Sequence, residues 1–483
     1  MALEGLSIKF GTDGWRALIA RDYTFDNVRA CAEGVCRLLE ANGQASQGLV
    51  IGYDSRFGSD DFAAEVAQVS AAHGITTHLA DRVVPTPVLS FNLLQHKAGG
   101  GVVITASHNS GAWNGFKYKP DYGGSATPEV VEELERHISD VLRERTAGAE
   151  QPAVRSLADA RANGLVIDDE MAPPYLRNLA NVVNLDAIRG SGLRIGVDAM
   201  HGAGAGYFQA ALGNGNVSIE EMRGERNPAF PDMAQPEPIA PNLGPSIAAA
   251  REGRFDVVVA NDGDADRLGV LDERGDFIST LSTFSLLCLH QLEVRGLRGP
   301  LVRSLTQSAM IDKLGALYEV PVHVTAVGFK FVGPVMIATD ALAAGEESGG
   351  YAFRGNIPER DGILSGLLFL DLMVQTGKRP SELVAMLYET VGVHHYDRLD
   401  VRLGAGVGAP DVRALAGKPP ERLAGLRVAG TDTTDGVRYL LEDGFWGLIR
   451  PSGTEPLLRI YAEADSPARV HELLTALRES AGV

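Results

Sequence analysis

Residues 101–119 read GVVITASHNSGAWNGFKYK. An apolar run ends at Ile104, and a polar lip, Thr105-Ala106-Ser107-His108-Asn109, follows at once. The same passage from buried run to polar lip recurs in GLVIGYDSR (48–56), SGLRIGVDAMHGAG (191–204), FDVVVANDGDADR (255–267) and GPLVRSLTQS (299–308). LVIGYD and LRIGVD share a short register, a weak sign of a repeated unit. Residues 60–73, after the first lip, read as a helix. Strands alternating with helices predict α/β domains with mostly parallel sheets and helices on both faces. In such sheets functional groups gather beyond the carboxyl ends of the strands, where each of these lips lies.

The chain has 483 residues, too many for one core, so three or four domains are expected. The apolar runs are strand-sized, with none long enough for a transmembrane helix, and the first residues lack the pattern of a signal peptide. Cys31, Cys36 and Cys288 form neither a disulfide framework nor a zinc pattern. These features predict a cytoplasmic protein. The formal net charge of −18 argues against nucleic acid or an anionic membrane as partner. A phosphate-bearing substrate would therefore need a local collection of cations and N–H groups. Residues 146–165 and 404–424 read as a boundary and a surface excursion, and the proline-rich 224–245 as an ordered loop. Val470, Leu473, Leu474 and Leu477 mark an amphipathic final helix capped by Ser466.

Asp262, Asp264 and Asp266 stand at alternate positions after FDVVVA. Three carboxylates brought together repel unless a cation lies among them, and all-oxygen ligation suits Mg²⁺ or Ca²⁺; a solvated acidic turn is the plainer alternative. An EF-hand is excluded because Arg267 stands where that loop needs glycine. Arg267 instead suits a site that also holds an anion. RPSGTEP (450–456) offers an arginine, hydroxyls and successive N–H groups for a phosphate, although a simple turn reads equally well. GEESGG (345–350) sets carboxylates among glycines, which suits sugar hydroxyls, although a flexible acidic turn reads equally well. GTDGWR (11–16) is a similar polar loop ending in an arginine. HGAGAG (201–206) lacks the third glycine of a dinucleotide fingerprint, and no G-x-S-x-G elbow surrounds Ser107. A serine near a metal-binding acidic trio and an arginine-lined anion site points to phosphoryl transfer. Lys117 then serves as a proton-transfer group or a phosphate counterion, with a plain surface lysine as the alternative.

TASHN, DGDADR, GEESGG and RPSGTEP, in this order and at these separations, resemble the α-D-phosphohexomutase superfamily, which includes phosphoglucomutases and phosphomannomutases. The resemblance covers nearly the whole chain. It implies three related α/β domains with mixed, mostly parallel sheets, and a smaller α+β C-terminal domain, around a central cleft. The expected ranges are 1–165, 166–280, 281–392 and 393–483, each giving one loop to the site. By position, Ser107 matches the family's phosphoserine, and Asp262, Asp264 and Asp266, with phospho-Ser107, its Mg²⁺ ligands. Lys117 and His108 match residues of proton transfer and phosphate contact, Arg16 the arginine of the first loop, and Arg267 the arginine after the acids. Glu346 and Ser348 match the sugar-reading loop, and Arg450, Ser452, Gly453 and Thr454 the loop for the non-reacting phosphate. Lys330 and Arg303 fall where further phosphate and sugar contacts are expected. The implied reaction exchanges phosphate between Ser107 and a hexose monophosphate, with glucose 1,6-bisphosphate as intermediate and activator. Dual-specificity and hexosamine mutases usually end the sugar loop with His, whereas position 350 is Gly. That is closer to the phosphoglucomutase pattern, with phosphomannomutase, mixed specificity or a Mg²⁺-dependent sugar phosphatase as alternatives. The expected partner is a small-molecule sugar phosphate, and the chain is expected to work as a monomer or homodimer.

Overall fold

A computed structural model describes residues 8–11, 13–403, 412–451 and 457–482. Four sheets follow one another along the chain. The first contains β1 (Trp15–Leu18), β2 (Leu49–Tyr53), β3 (Thr77–Ala80), β4 (Gly100–Ile104), β5 (Trp113–Pro120) and β6 (Val166–Asp169). Their spatial order is β1-β5-β4-β2-β3-β6. The second contains β7 (Arg194–Asp198), β8 (Ser218–Met222), β9 (Val257–Asn261), β10 (Leu268–Leu271) and β11 (Phe277–Ile278), in the order β11-β10-β9-β7-β8. The third contains β12 (Leu301–Ser304), β13 (Val322–Thr325), β14 (Ala343–Gly345) and β15 (Tyr351–Phe353), in the order β13-β12-β14-β15.

Each of these sheets is mixed in the same way. A parallel strand turns back into an antiparallel neighbour: β4 into β5, β9 into β10, β14 into β15. All five residues of β4 and of β9 are buried. That is why they read as unbroken apolar runs rather than alternating ones. One hydrophobic core runs through the three domains, from Val88 and Leu89 through Tyr175 and Phe208 to Leu364 and Leu368. A second core lies on the other face of the first sheet.

The fourth domain differs. β16 (His395–Arg402), β17 (Arg422–Leu423), β18 (Leu426–Asp432), β19 (Val437–Leu441), β20 (Trp446–Pro451) and β21 (Leu457–Ala464) pair only antiparallel. The helix Pro467–Ser480 covers them with Val470, Leu473, Leu474 and Leu477, and the Ser466 side chain accepts from the Arg469 N–H. This domain meets the third through a small cluster, Leu305, Ala309, Trp446, Leu448 and Tyr461. At its centre the buried Glu463 carboxylate accepts from the Ala309 N–H at 2.9 Å, and also from Ser308 and Trp446.

One boundary moves. β6 begins at residue 166 yet pairs in parallel with β3, so the first domain extends past 165. Only Val166 of that strand is buried. VIDD therefore carries no apolar run to attach it to the strands before it. The 146–165 stretch also contains a short helix, Leu157–Ala162.

His73 caps the helix Ser59–Ala72 and joins it to the helix Phe25–Ala41. Its ring nitrogens lie 2.8 Å from Glu33 and 2.7 Å from Glu40. Hydrogen bonding to Glu33, reinforced by Glu40 and opposed by burial, raises its pKa to about 9. The folded state thus holds this proton more tightly than the unfolded chain, whose histidines titrate near ~6.5. The stabilisation is complete below that value and is lost as pH rises through 9. Solvent screening reduces it to about 1 kcal/mol. Urea unfolding of His73→Gln should show that deficit at about pH 6 and none at about pH 10.

Candidate active site

The site is built from the turns that follow β4, β9 and β14. In the first, Ser107 has φ 50°, a left-handed backbone that costs energy for a residue with a Cβ. Its N–H donates to Thr105 Oγ1 at 2.8 Å. Arg56, just past β2 and fully buried, holds the turn. Its Nη2 donates to the carbonyls of Ser107 and Asn109, both at 2.6 Å, and its Nη1 to those of Ser110 and Trp113 at 2.8 and 3.0 Å. Its Nε donates to Asp54 at 3.0 Å. So constrained, the Ser107 hydroxyl donates to Asp262 Oδ2 at 2.8 Å.

The second turn is folded on Asp262, whose Oδ1 accepts from the N–H groups of Asp266 and Arg267 at 3.0 and 3.1 Å. The two turns touch: a Cβ on Gly263 would lie 2.4 Å from the Ser107 carbonyl. The Ala203 N–H donates to the Gly263 carbonyl at 2.9 Å, so HGAGAG supports the acidic turn rather than a dinucleotide.

Asp262, Asp264 and Asp266 are fully buried, and one oxygen of each lies within 4.8 Å of the others. Asp264 Oδ1 and Asp266 Oδ1 have no hydrogen-bond partner among the described residues. Burial, then Asp266 and Asp264, holds the Asp262 carboxyl well above its ordinary pKa. Burial would raise Asp264 too, but Lys117, Thr86 and Arg360 together turn the net shift downward. Buried, oxygen-only and partly orphaned, this set fits a hard divalent cation. Asp262, Asp264 and Asp266 would hold it next to Ser107.

Cations from the first and third domains surround the trio. Lys117, on β5, reaches Asp13, Asp264 and Asp266 at 2.7, 2.8 and 3.1 Å. Burial opposes its charge, but these three carboxylates prevail and raise its pKa, so it is an ammonium ion. Lys119, two residues on and so on the same strand face, bonds Glu359 at 2.6 Å and Asp13 at 3.3 Å. Arg360 pairs with Asp13, with Asp266 at 2.8 Å and with Glu359 at 3.2 Å. His108 Nδ1 lies 3.5 Å from Ser107 Oγ. Burial and the charges of Arg267, Arg16, Lys117 and Arg56 push its pKa well down, leaving a neutral imidazole. Arg16 donates to Asn109 Oδ1 at 2.8 Å. Arg267 lies 4.0 Å from Asp262 and bonds Glu237 of the proline-rich loop at 3.1 Å.

In the third turn Glu346 Oε1 accepts from the Gly328 N–H at 2.8 Å, and burial raises its pKa. Ser348 is half-buried beside it. A Cβ on Gly350 would meet Arg360 Cδ at 2.2 Å, so the arginine's stem occupies the space a side chain there would need. Lys330 reaches across to the Gly11 carbonyl at 3.4 Å. Arg450 Nε lies 2.9 Å from Asp435, whose Oδ2 accepts from the Val327 N–H at 3.1 Å. Ser452, Gly453 and Thr454 lie outside the described residues. Arg303 is not joined to this network. Among the described residues it bonds Asp312 at 2.7 Å and the Ser304 carbonyl, and it lies near Arg438 of the fourth domain.

Sequence reasoning passed over Arg56, Asp13, Thr86, Lys119, Glu359 and Arg360. Thr86 Oγ1 donates to Asp264 at 2.6 Å. Asp13 and Arg56 stand in GTDGWR and GLVIGYDSR, stretches already marked as polar lips. PERDG (358–362), an arginine between two acids, was the remaining signal.

Comparison with known proteins agrees with this architecture. Residues 7–144, 173–275 and 282–391 match the profiles of phosphoglucomutase/phosphomannomutase alpha/beta/alpha domains I, II and III. Residues 411–480 match the C-terminal domain of the same proteins. A phosphoglucomutase/phosphomannomutase of Thermococcus kodakarensis is 29% identical over 96% of both chains. A probable phosphoglucosamine mutase of Methanopyrus kandleri is 30% identical, covering 96% of this chain and 95% of its own. The crystal structure of a putative phosphomannomutase from Thermus thermophilus superposes with a TM-score of 0.83 at 32% identity. It covers 98% of this chain and 99% of its own.

Arg56→Met should cost about 3–5 kcal/mol, because Asp54 is left buried without its partner and four carbonyls lose their donor. Urea unfolding monitored by circular dichroism measures the loss.

Proposed function

Because the chain belongs to the phosphoglucomutase/phosphomannomutase family, whose members are phosphohexomutase isomerases, we propose that it interconverts glucose 1-phosphate and glucose 6-phosphate through phospho-Ser107 and glucose 1,6-bisphosphate. The observation that carries this reading is the contact between the Ser107 hydroxyl and Asp262 at 2.8 Å, inside a buried carboxylate trio. Asp262, Asp264 and Asp266 would hold Mg²⁺, which when bound would neutralise charge at the phosphoryl group.

A hexose hydroxyl attacks the phosphorus on Ser107, the phosphorus–Oγ bond breaks, and the hexose leaves the step with two phosphates. Neutral His108 can accept the proton of the attacking hydroxyl. The Lys117 ammonium offsets the negative charge and can donate to the departing Ser107 oxygen. The bisphosphate then turns in the cleft, and its other phosphate returns to Ser107 by the reverse exchange. Glu346 and Ser348 receive the sugar hydroxyls, and Arg16, Arg267 and Lys330 contribute positive charge around the phosphates. Arg450 and the turn after it hold the non-reacting phosphate. Ser107 is 1% exposed, and exclusion of water favours transfer to a sugar over hydrolysis. Such a substrate is a small molecule and calls for neither nucleic acid nor membrane.

Glycine at 350, closer to the phosphoglucomutase pattern than the usual His, favours glucose over mannose, and the stem of Arg360 fills the space beside it. That stem narrows the sugar loop where a larger residue would otherwise stand. The two sugars differ in the orientation of one hydroxyl, about 0.5–1.5 kcal/mol for a neutral hydrogen bond.

A coupled assay with Mg²⁺ and a trace of glucose 1,6-bisphosphate should show glucose 1-phosphate converted faster than mannose 1-phosphate. Ser107→Ala should lose at least about 10³-fold in kcat. Undiminished turnover by Ser107→Ala, or inorganic phosphate as the main product, overturns the mutase reading; faster turnover of mannose 1-phosphate overturns the sugar assignment. Gly350→His should displace Arg360 and lower kcat with glucose 1-phosphate by about 10-fold or more. Steady-state kinetics beside the wild type checks this.

A further inference from the structure

A second cluster of ligand-bearing side chains lies at the far end of one helix from the acidic trio. Helix Thr86–His96 begins with Thr86 bonded to Asp264 and ends with His96. Its 11 residues span about 16 Å. At that far end three side chains meet from three elements. His78 is on β3 and Asp169 is the last residue of β6. In their parallel pairing His78 stands opposite Ile167. Ile167 and Asp169 are two apart and share a face, so His78 and Asp169 are diagonal neighbours on one side of the sheet.

His96 closes the group. Its ring is stacked on that of His78 with centroids 3.8 Å apart and planes 19° apart. Its Nε2 lies 2.6 Å from Asp169 Oδ2, and His78 Nδ1 lies 3.5 Å from the same oxygen. One nitrogen of each ring and a carboxylate oxygen fall within 4.8 Å of one another. A hydrogen bond between His96 and Asp169 alone would not need the second imidazole. Stacked rings that both gain a proton repel each other, whereas two neutral imidazoles and a carboxylate form an N₂O donor set. The three side chains are partly exposed, which leaves a cation access and room for water as further ligand.

We propose that His78, His96 and Asp169 bind a borderline first-row divalent cation of the zinc class. Imidazole ligands suit Zn²⁺, Ni²⁺ and Cu²⁺, while Mg²⁺ keeps to oxygen. The chain would thus carry two cation sites of opposite preference, one at each end of the same helix. The ion would tie the edge strand β6 to β3 and to that helix. β6 leads directly into the helix Ala172–Val182. The Met171 carbonyl just before that helix accepts from Asn92, on helix Thr86–His96, at 2.8 Å. The cation would therefore stabilise the seam between the first and second domains without taking part in the chemistry.

The test uses full-length protein without a histidine tag, stripped of metal and returned to excess Mg²⁺ so that the acidic trio is filled. Calorimetric titration with Zn²⁺ should give one tight equivalent and a rise in Tm, and Co²⁺ should give visible d–d bands. His78→Ala, His96→Gln and Asp169→Asn should each weaken zinc binding about 100-fold or more. Turnover with Mg²⁺ should stay at the wild-type rate in His78→Ala and His96→Gln. Failure of the wild type to bind zinc, or binding equal to wild type in the His78→Ala/His96→Gln double variant, overturns the proposal. Lost turnover in His78→Ala or His96→Gln overturns the purely structural role of the ion, whereas absence of hexose phosphate turnover in the wild type bears on the catalytic reading alone.

Discussion

Mutual repulsion among Asp262, Asp264 and Asp266 is the constraint on which the centre of this molecule depends. Three carboxylates in one buried turn cannot all ionise unaided: burial first, then Asp266 and Asp264, hold the Asp262 carboxyl above its ordinary pKa. Their partners come from other domains: Thr86 and Lys117 from the first, Arg360 from the third. Asp13 returns negative charge to that cationic pair, and Glu359 does the same for Arg360 and Lys119. The result is an alternating lattice of buried charge spanning three domains. No single domain can satisfy its own part of it, so domain closure and site assembly are one event. Among the described residues one oxygen each of Asp264 and Asp266 lacks a hydrogen-bond partner, and a divalent cation held there would complete the balance.

Topology makes this convergence possible. In each of the first three domains the functional turn connects a parallel strand to its antiparallel neighbour. That place lies at the carboxyl end of the parallel strand, where α/β sheets open to ligands. Using the same place three times, around a shared hydrophobic core, faces three turns towards one cleft. The local positive charge also reconciles an acidic chain with a phosphate substrate, since the net charge of −18 is a property of the whole surface and not of the cleft.

The fourth domain is attached more lightly. Its contact with the third rests on a small apolar cluster and on Glu463, which receives the N–H and hydroxyl donors of the Ser308–Ala309 turn and the Trp446 indole. Nearer the cleft, Asp435 connects Arg450 to the Val327 N–H of the third domain. Tyr396 and Arg398 also pair with Glu347, and Lys313 with His394, so this seam is mostly polar where the first three domains share a continuous apolar core. A domain joined through a mostly polar seam can move as a body relative to the others.

Much of this was already determined by the order of residues along the chain. Fully buried strands announce themselves as unbroken apolar runs, and the residues at their ends are local, so Ser107, the three aspartates and the four-domain plan were legible. β6 was misassigned because VIDD has one buried residue and no pattern that says which sheet it joins. Arg56, Asp13, Lys119, Glu359 and Arg360 were passed over for a related reason. A charged side chain looks alike in sequence whether it is solvated or buried in a network, and only its partners, up to 347 positions away for Arg360 and Asp13, decide which. Arg303 shows the same dependence: its position in the chain suggested a substrate contact, and only the fold reveals that Asp312 is its partner. Local chemistry is written in the sequence because covalent neighbours are fixed. The pairing of buried charges is a tertiary property, because it depends on which distant groups the closed core brings within reach.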